Sequence, residues 1–309
     1  MNTLQKTPKL SMGPILFHWD ETKKLDFYKR VADEMPVDTV YLGEVICSKR
    51  TPFFEKNYEA VAERLRAAGK RVVFSTLSEV MIPRDRKIIK DFCERGVEAG
   101  EEIEVNDAAA LLHISGKRHR IGTLMNCYNE ETLKHLVKGG AYHVSLLPEL
   151  PRDAIEVMTR VANDLGVSTE VQVFGRASLA LSARCYHARA HGRRKGNCQF
   201  VCGNDCDGMD LSTMAGDPFL AINGIQTLSD AYVNLAQELE EMKEMGISYF
   251  RLSPHSNDMV ATAKAFDALM KGEIDAETAV ARVRESGVDK PFANGFYHKK
   301  AGLEWVAAD

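Results

Sequence analysis

The chain of 309 residues contains no run of about 18 apolar residues, so a membrane-spanning helix is not expected. Its opening, MNTLQKTPKL, has none of the apolar core that a secretory signal carries, and a cytoplasmic location is the expectation. Charge imbalance is missing too: the formal net charge is −4, with 27% charged and 45% hydrophobic residues, ordinary for a globular protein. That balance excludes wholesale disorder and disfavours bulk binding of nucleic acid. A closed disulfide framework is also absent, because seven cysteines, at positions 47, 93, 127, 185, 198, 202 and 206, cannot all pair. In a reducing compartment, clustered thiols more often hold metal or do chemistry.

What the sequence does contain is alternation. Eight short, β-branched apolar runs, GPILFHW, DTVYLGEV, KRVVFSTL, EEIEVND, RIGTLMN, YHVSLL, STEVQVFG and SYFRLSP, are separated by longer stretches. KNYEAVAERLRAAG (56–69) and SDAYVNLAQELEEMKEMG (229–246) carry apolar residues at helical spacing and end in Gly, so both are expected to be helices. Eight strand–helix units over this length predict an α/β protein, a (β/α)8 TIM-like barrel forming a single domain over 1–309. About 75 residues separate the seventh and eighth runs, so an insertion is expected at 175–228, with a C-terminal extension at 272–309. A loop after a barrel strand lies on the face where such barrels keep their sites.

Four of the cysteines fall in that insertion, within ARCYHARAHGRRKGNCQFVCGNDC. Twelve residues separate Cys185 from Cys198 and three separate Cys198 from Cys202, while Cys47 follows the second strand and can enter the same mouth. Structural zinc favours two tight pairs of ligands; one distant, one intermediate and one close pair suits a 4Fe-4S cube somewhat better. Arg184, Arg189, Arg193, Arg194 and Lys195 are candidate counter-charges to such a cluster. Cys93 and Cys127 fit small buried hydrophobes. Glu44, His18, Asp20, Arg176, Arg251 and His255 are candidates for the barrel mouth by position alone. The spacing of Cys198, Cys202 and Cys206, three and three, does not match the three-and-two spacing of radical S-adenosylmethionine enzymes.

The string EVQVFGRASLALSARCYHARAHGRRKGNCQFVC, with Cys47 upstream and NGFYHKKAGLEW near the end, resembles the collagenase-like peptidase family, in particular its members in oxygen-independent ubiquinone biosynthesis. The resemblance implies that Cys47, Cys185, Cys198 and Cys202 each ligate one iron of a 4Fe-4S cluster, leaving Cys206 surplus. It further implies an O2-independent hydroxylation of ubiquinone-precursor rings, a homologous UbiU-type partner in a heterodimer, prephenate as oxygen donor and a sterol-carrier-like lipid-binding accessory protein. The peptidase-type pattern is broken, since Glu170, Gln172 and Gly175 are followed by Ser178 where peptidase-annotated relatives have Cys. A serine nucleophile needs a positioned base, and no Ser-His-Asp set stands out, so protease activity is not expected. Two other readings stay open: a zinc-stapled scaffold without redox chemistry, and an RNA-base hydroxylation factor in which the basic run with Tyr186 and Phe200 contacts RNA.

Overall fold

A computed structural model describes residues 7–307. The first half of the chain runs β1 (Lys9–Met12), α1 (Glu21–Glu34), β2 (Thr39–Leu42), α2 (Tyr58–Ala67), β3 (Arg71–Ser75), α3 (Pro83–Glu98), β4 (Glu102–Val105), α4 (Ala108–Ile114) and β5 (His119–Ile121). It continues with α5 (Glu130–Lys138), β6 (Ala141–Leu146), α6 (Arg152–Asp164), β7 (Ser168–Leu181), α7 (Tyr186–Ala190), β8 (Met209–Ser212), β9 (Pro218–Asn223) and β10 (Gln226–Asn234). Last come α8 (Leu239–Glu244), β11 (Tyr249–Leu252), α9 (Met259–Met270), α10 (Ala276–Glu285) and β12 (Phe292–Ala293).

Strands β1 to β7 pair in sequence order, all parallel, and β11 closes the ring between β7 and β1. This is the expected closed eight-stranded barrel with alternating helices. The helices turn apolar stripes onto it: Phe27, Tyr28, Val31 and Ala32 of α1 are buried, and the Asp20 side chain caps the same helix by accepting from Lys23 N at 2.8 Å. Inside the barrel the filling is partly ionic. Glu170 accepts from Ser11 Oγ at 2.5 Å, Ser145 Oγ at 2.7 Å and Arg251 Nε at 2.7 Å, and Arg251 also reaches Glu104 at 2.5 Å.

Two local expectations are corrected. The first strand is Lys9–Met12, not GPILFHW, because Gly13 and Pro14 follow it and Pro14 has no N–H for a ladder; residues 13–19 form a mostly buried loop instead. The stretch 229–246 is not one helix: its first part completes β10, and only Leu239–Glu244 is helical. In SDAYVN the sheet won, because β7 runs on past the barrel to Leu181 and offers an edge that β10 takes up antiparallel. The insertion is accordingly a small sheet, β7–β10–β9–β8, with short helical turns packed on it. The C-terminal segment joins the same body through β12, which pairs parallel with β10.

Candidate metal centre

β2 is followed by a tight turn in which Glu44 Oε1 accepts the backbone N–H groups of Ile46 and Cys47, both at 3.1 Å. That carboxylate holds Cys47 in an extended conformation at the start of the 3-10 helix Ser48–Phe53. On the other side, Cys185 starts α7, and its Sγ accepts from Ala188 N at 3.4 Å. Between Cys198 and Cys202 the chain reverses through Gln199 and Phe200, at φ of 48° and 54°. Two successive left-handed residues other than glycine cost about 1–2 kcal/mol each and persist only where surroundings impose them.

Cys47, Cys185, Cys198 and Cys202 line one small cavity, together with Lys49, Arg50, His187, Lys195, Phe200, Val201, Gly224 and Ile225. Cys206 does not line it; that residue is exposed, and its carbonyl accepts from Trp19 Nε1 at 2.7 Å. Val45, Ile46 and Ile225 form an apolar cluster behind the cavity, against which Cys185 packs. His187 cannot readily join the thiols as a donor, since Nδ1 is bonded to Ile222 O at 3.1 Å and Nε2 to Asp205 Oδ2 at 2.8 Å. Burial raises the Cys47 thiol, against the pull of Arg50, and burial likewise raises Cys185. Cys93 and Cys127 are buried away from the cavity, with thiols pushed up to about 11 by burial, as inert core residues would be.

The charge around the cavity differs from the expectation. Of the basic run, Lys195 lines it and pairs with Glu79 at 2.5 Å, whereas Arg184, Arg189 and Arg194 are exposed. The cations nearest the thiols are instead Lys49, whose Nζ lies 3.4 Å from Cys198 Sγ, and the fully buried Arg50. They stand two and three residues after Cys47 in ICSKR, and proximity to that cysteine was the available signal.

The other mouth candidates scatter. His18 packs against Phe53 and Phe200 beside the thiols and is lowered to about 4, by burial first and then by Arg50 and Lys24. Asp20 is a helix cap, and Arg251 is locked inside the barrel by Glu104 and Glu170. Arg176 donates to the carbonyls of Ser229 and Asp230 at 2.7 Å, and its own N–H points to His255 Nε2 at 3.4 Å. A larger cavity of about 550 Å3 opens between α2 and α3 and shares Glu44 with this region, but none of the four cysteines lines it.

The chain matches Peptidase family U32 over residues 26–307. It belongs to that family. Solved structures similar to it include the tryptophan synthase alpha subunit of Campylobacter jejuni, at 11% identity and a TM-score of 0.41, covering 86% of this chain and 94% of that one. Another is the spore cortex-lytic enzyme SleL of Bacillus cereus, at 10% identity and a TM-score of 0.38, covering 79% and 71%.

The family name invites a search for a nucleophile. Ser178 Oγ accepts from Gln226 Nε2 at 2.9 Å, so its nearest partner is an amide and not a base. Ser168 Oγ does meet His143 Nδ1 at 2.8 Å, with Glu170 3.6 Å from the other ring nitrogen. That trio lies at the opposite end of the barrel from the thiols, its carboxylate is engaged by Arg251, and burial lowers the basicity of His143. It lacks the open, polarised surroundings that acyl transfer needs.

Among the described residues, no three His, Cys, Asp or Glu side chains are gathered as ligands of one metal ion. A zinc ion draws sulfur ligands to about 2.3 Å from a single point, whereas a cube takes one thiolate on each iron and holds them in a wider ring. Four thiols facing one cavity, with histidine occupied elsewhere, are a donor set of the soft kind that suits zinc, copper(I) or an iron–sulfur cluster.

Proposed function

We propose that the protein is a UbiV-type subunit: an iron–sulfur component of an O2-independent hydroxylase acting on the ring of ubiquinone precursors, paired with a homologous UbiU-type partner. The observation that carries the reading is the meeting of Cys47, some 140 residues away in sequence, with Cys185, Cys198 and Cys202 in a single cavity. In this proposal those four thiolates hold a 4Fe-4S cluster, prephenate donates oxygen, a sterol-carrier-like protein is an accessory, and the complex is cytoplasmic. The cluster supplies one-electron chemistry or a structural staple; with four protein ligands it has no iron free for substrate. The chain's own residues do the holding: Glu44 fixes the Cys47 turn, and Ala188 N–H steadies Cys185.

Anaerobic purification followed by iron and acid-labile sulfide analysis tests the proposal. Cys47→Ala, Cys185→Ala and Cys198→Ala should each lose iron, sulfide and the visible charge-transfer absorbance, and Cys206→Ala should keep them. A wild-type protein containing zinc and no sulfide would establish the scaffold reading instead. The RNA reading rests on one further observation, the 47% exposure of Tyr186 beside exposed Arg184 and Arg189. Failure to bind RNA at low salt removes it.

A further inference from the structure

Burying an arginine is costly unless an opposite charge sits against it. The Arg50 side chain is 1% exposed, yet its nearest carboxylate, Glu44, stands 4.0 Å away and is already engaged by two backbone N–H groups. The guanidinium donates to Leu16 O at 2.9 Å and Asn223 Oδ1 at 3.0 Å and also reaches the Cys202 thiol, while its Nε has no hydrogen-bond partner. Room for it is made by Gly224, in the β9–β10 turn at φ +64°, where a Cβ would lie 2.8 Å from the guanidinium. The group lines the thiol cavity, and its charge acts on Cys202 and Cys47. Lys49 completes the arrangement: two backbone carbonyls, Lys195 O at 2.7 Å and Gly196 O at 3.2 Å, aim its Nζ at Cys198 Sγ. Two cations, Arg50 and Lys49, thus face the thiols from the cavity wall, with Glu44 at 4.0 Å as the carboxylate nearest Arg50.

We infer that Arg50, assisted by Lys49, sets the electron affinity of the cluster, a positioning role for charge that rests on reading the cavity as a cluster site. A one-electron reductant delivers an electron that stays on the iron–sulfur core, so the net negative charge beside Arg50 increases by one. No bond to Arg50 forms or breaks, and the guanidinium keeps its proton throughout. Fixed positive charge and an N–H···S contact stabilise the reduced form and raise the reduction potential.

The test is a dithionite titration followed by electron paramagnetic resonance on anaerobically reconstituted protein, after iron and sulfide have been measured. Arg50→Gln, with wild-type iron and sulfide, is expected to show a reduced-to-oxidised ratio about tenfold lower at a fixed potential, a fall of ~59 mV for one electron. Arg50→Lys should recover most of that change. Lys49→Gln should shift the potential the same way by less, because Lys49 is half-buried and partly screened. If Arg50→Gln fails to fold, Lys49→Gln decides. Variants that keep their cluster at an unchanged potential overturn this inference and leave the cluster reading standing; a wild type that takes up no iron and sulfide overturns both.

Discussion

Two of the buried arginines, Arg251 and Arg50, are treated in opposite ways. Arg251 inside the barrel meets Glu104 and Glu170, each at 2.5 Å, and Ser145 Oγ at 3.1 Å. Glu170 is in turn held well below the usual carboxylate range: burial alone would raise it, but Arg251, His143 and Ser11 outweigh burial. That network satisfies its guanidinium entirely within the barrel. Arg50 at the thiol cavity has backbone and amide oxygens for company and its one carboxylate at arm's length. The difference separates charge used as internal cement from charge left available to an occupant.

The comparison breaks most readily in metal-free protein. Arg251→Met strands two buried carboxylates and should cost about 3–5 kcal/mol in denaturant unfolding. Arg50→Met leaves Asn223 Oδ1 short of a donor and removes the 4.0 Å pairing with Glu44, while Leu16 O keeps Asn223 Nδ2, and should cost about 1–2 kcal/mol. Equal losses would mean that Glu44 satisfies Arg50 as fully as the barrel carboxylates satisfy Arg251.

Acid should act on a comparable scale. His255 is lowered to about 4 by burial first and then by Arg176, with Asp207 and the Ser253 carbonyl opposing incompletely. The unfolded chain takes up this proton near the ordinary pH of about 6.5, while the folded chain resists it down to about 4. Between those values the unfolded state binds more protons, so stability falls as pH drops, by about 1.4 kcal/mol per pH unit within that window. His18, lowered in the same direction, adds to the slope. Unfolding midpoints from pH 7 to 4.5 check this, and His255→Gln should flatten the curve; an unchanged slope would show that other groups carry it.

The smallest effect is expected at the exposed run. Arg184→Ala, Arg189→Ala and Arg194→Ala should each change stability by no more than about 0.5 kcal/mol, because their side chains are solvated. On the proposed cluster they should also leave the reduction potential unchanged, which separates them from Lys49 and Arg50.

Much of the architecture was legible in the amino-acid order. Periodicity is a local property, so the alternation of apolar runs with helical stretches announced the barrel, and the odd, clustered cysteines announced a thiol site. Legibility failed where two local readings compete. SDAYVN fits a helix or a strand, and only the free edge of the overlong β7 decides between them. GPILFHW reads as a strand by its apolar content, while the ladder stops before Pro14.

The site divides in the same way. By itself the sequence determined the residue types, the spacing of Cys185, Cys198 and Cys202, and the presence of Lys49 and Arg50 beside Cys47. The tertiary structure alone decided which cations face the thiols, that Cys206 points elsewhere, and that His187 is already bonded at both nitrogens. The reason is physical: spacing along a chain constrains neighbours within a turn or two, whereas the company kept by a buried charge depends on segments that meet only when the barrel closes. Ring closure places β11 and β1 between β7 and β2, and the inserted sheet spans that gap to bring Cys185, Cys198 and Cys202 to Cys47.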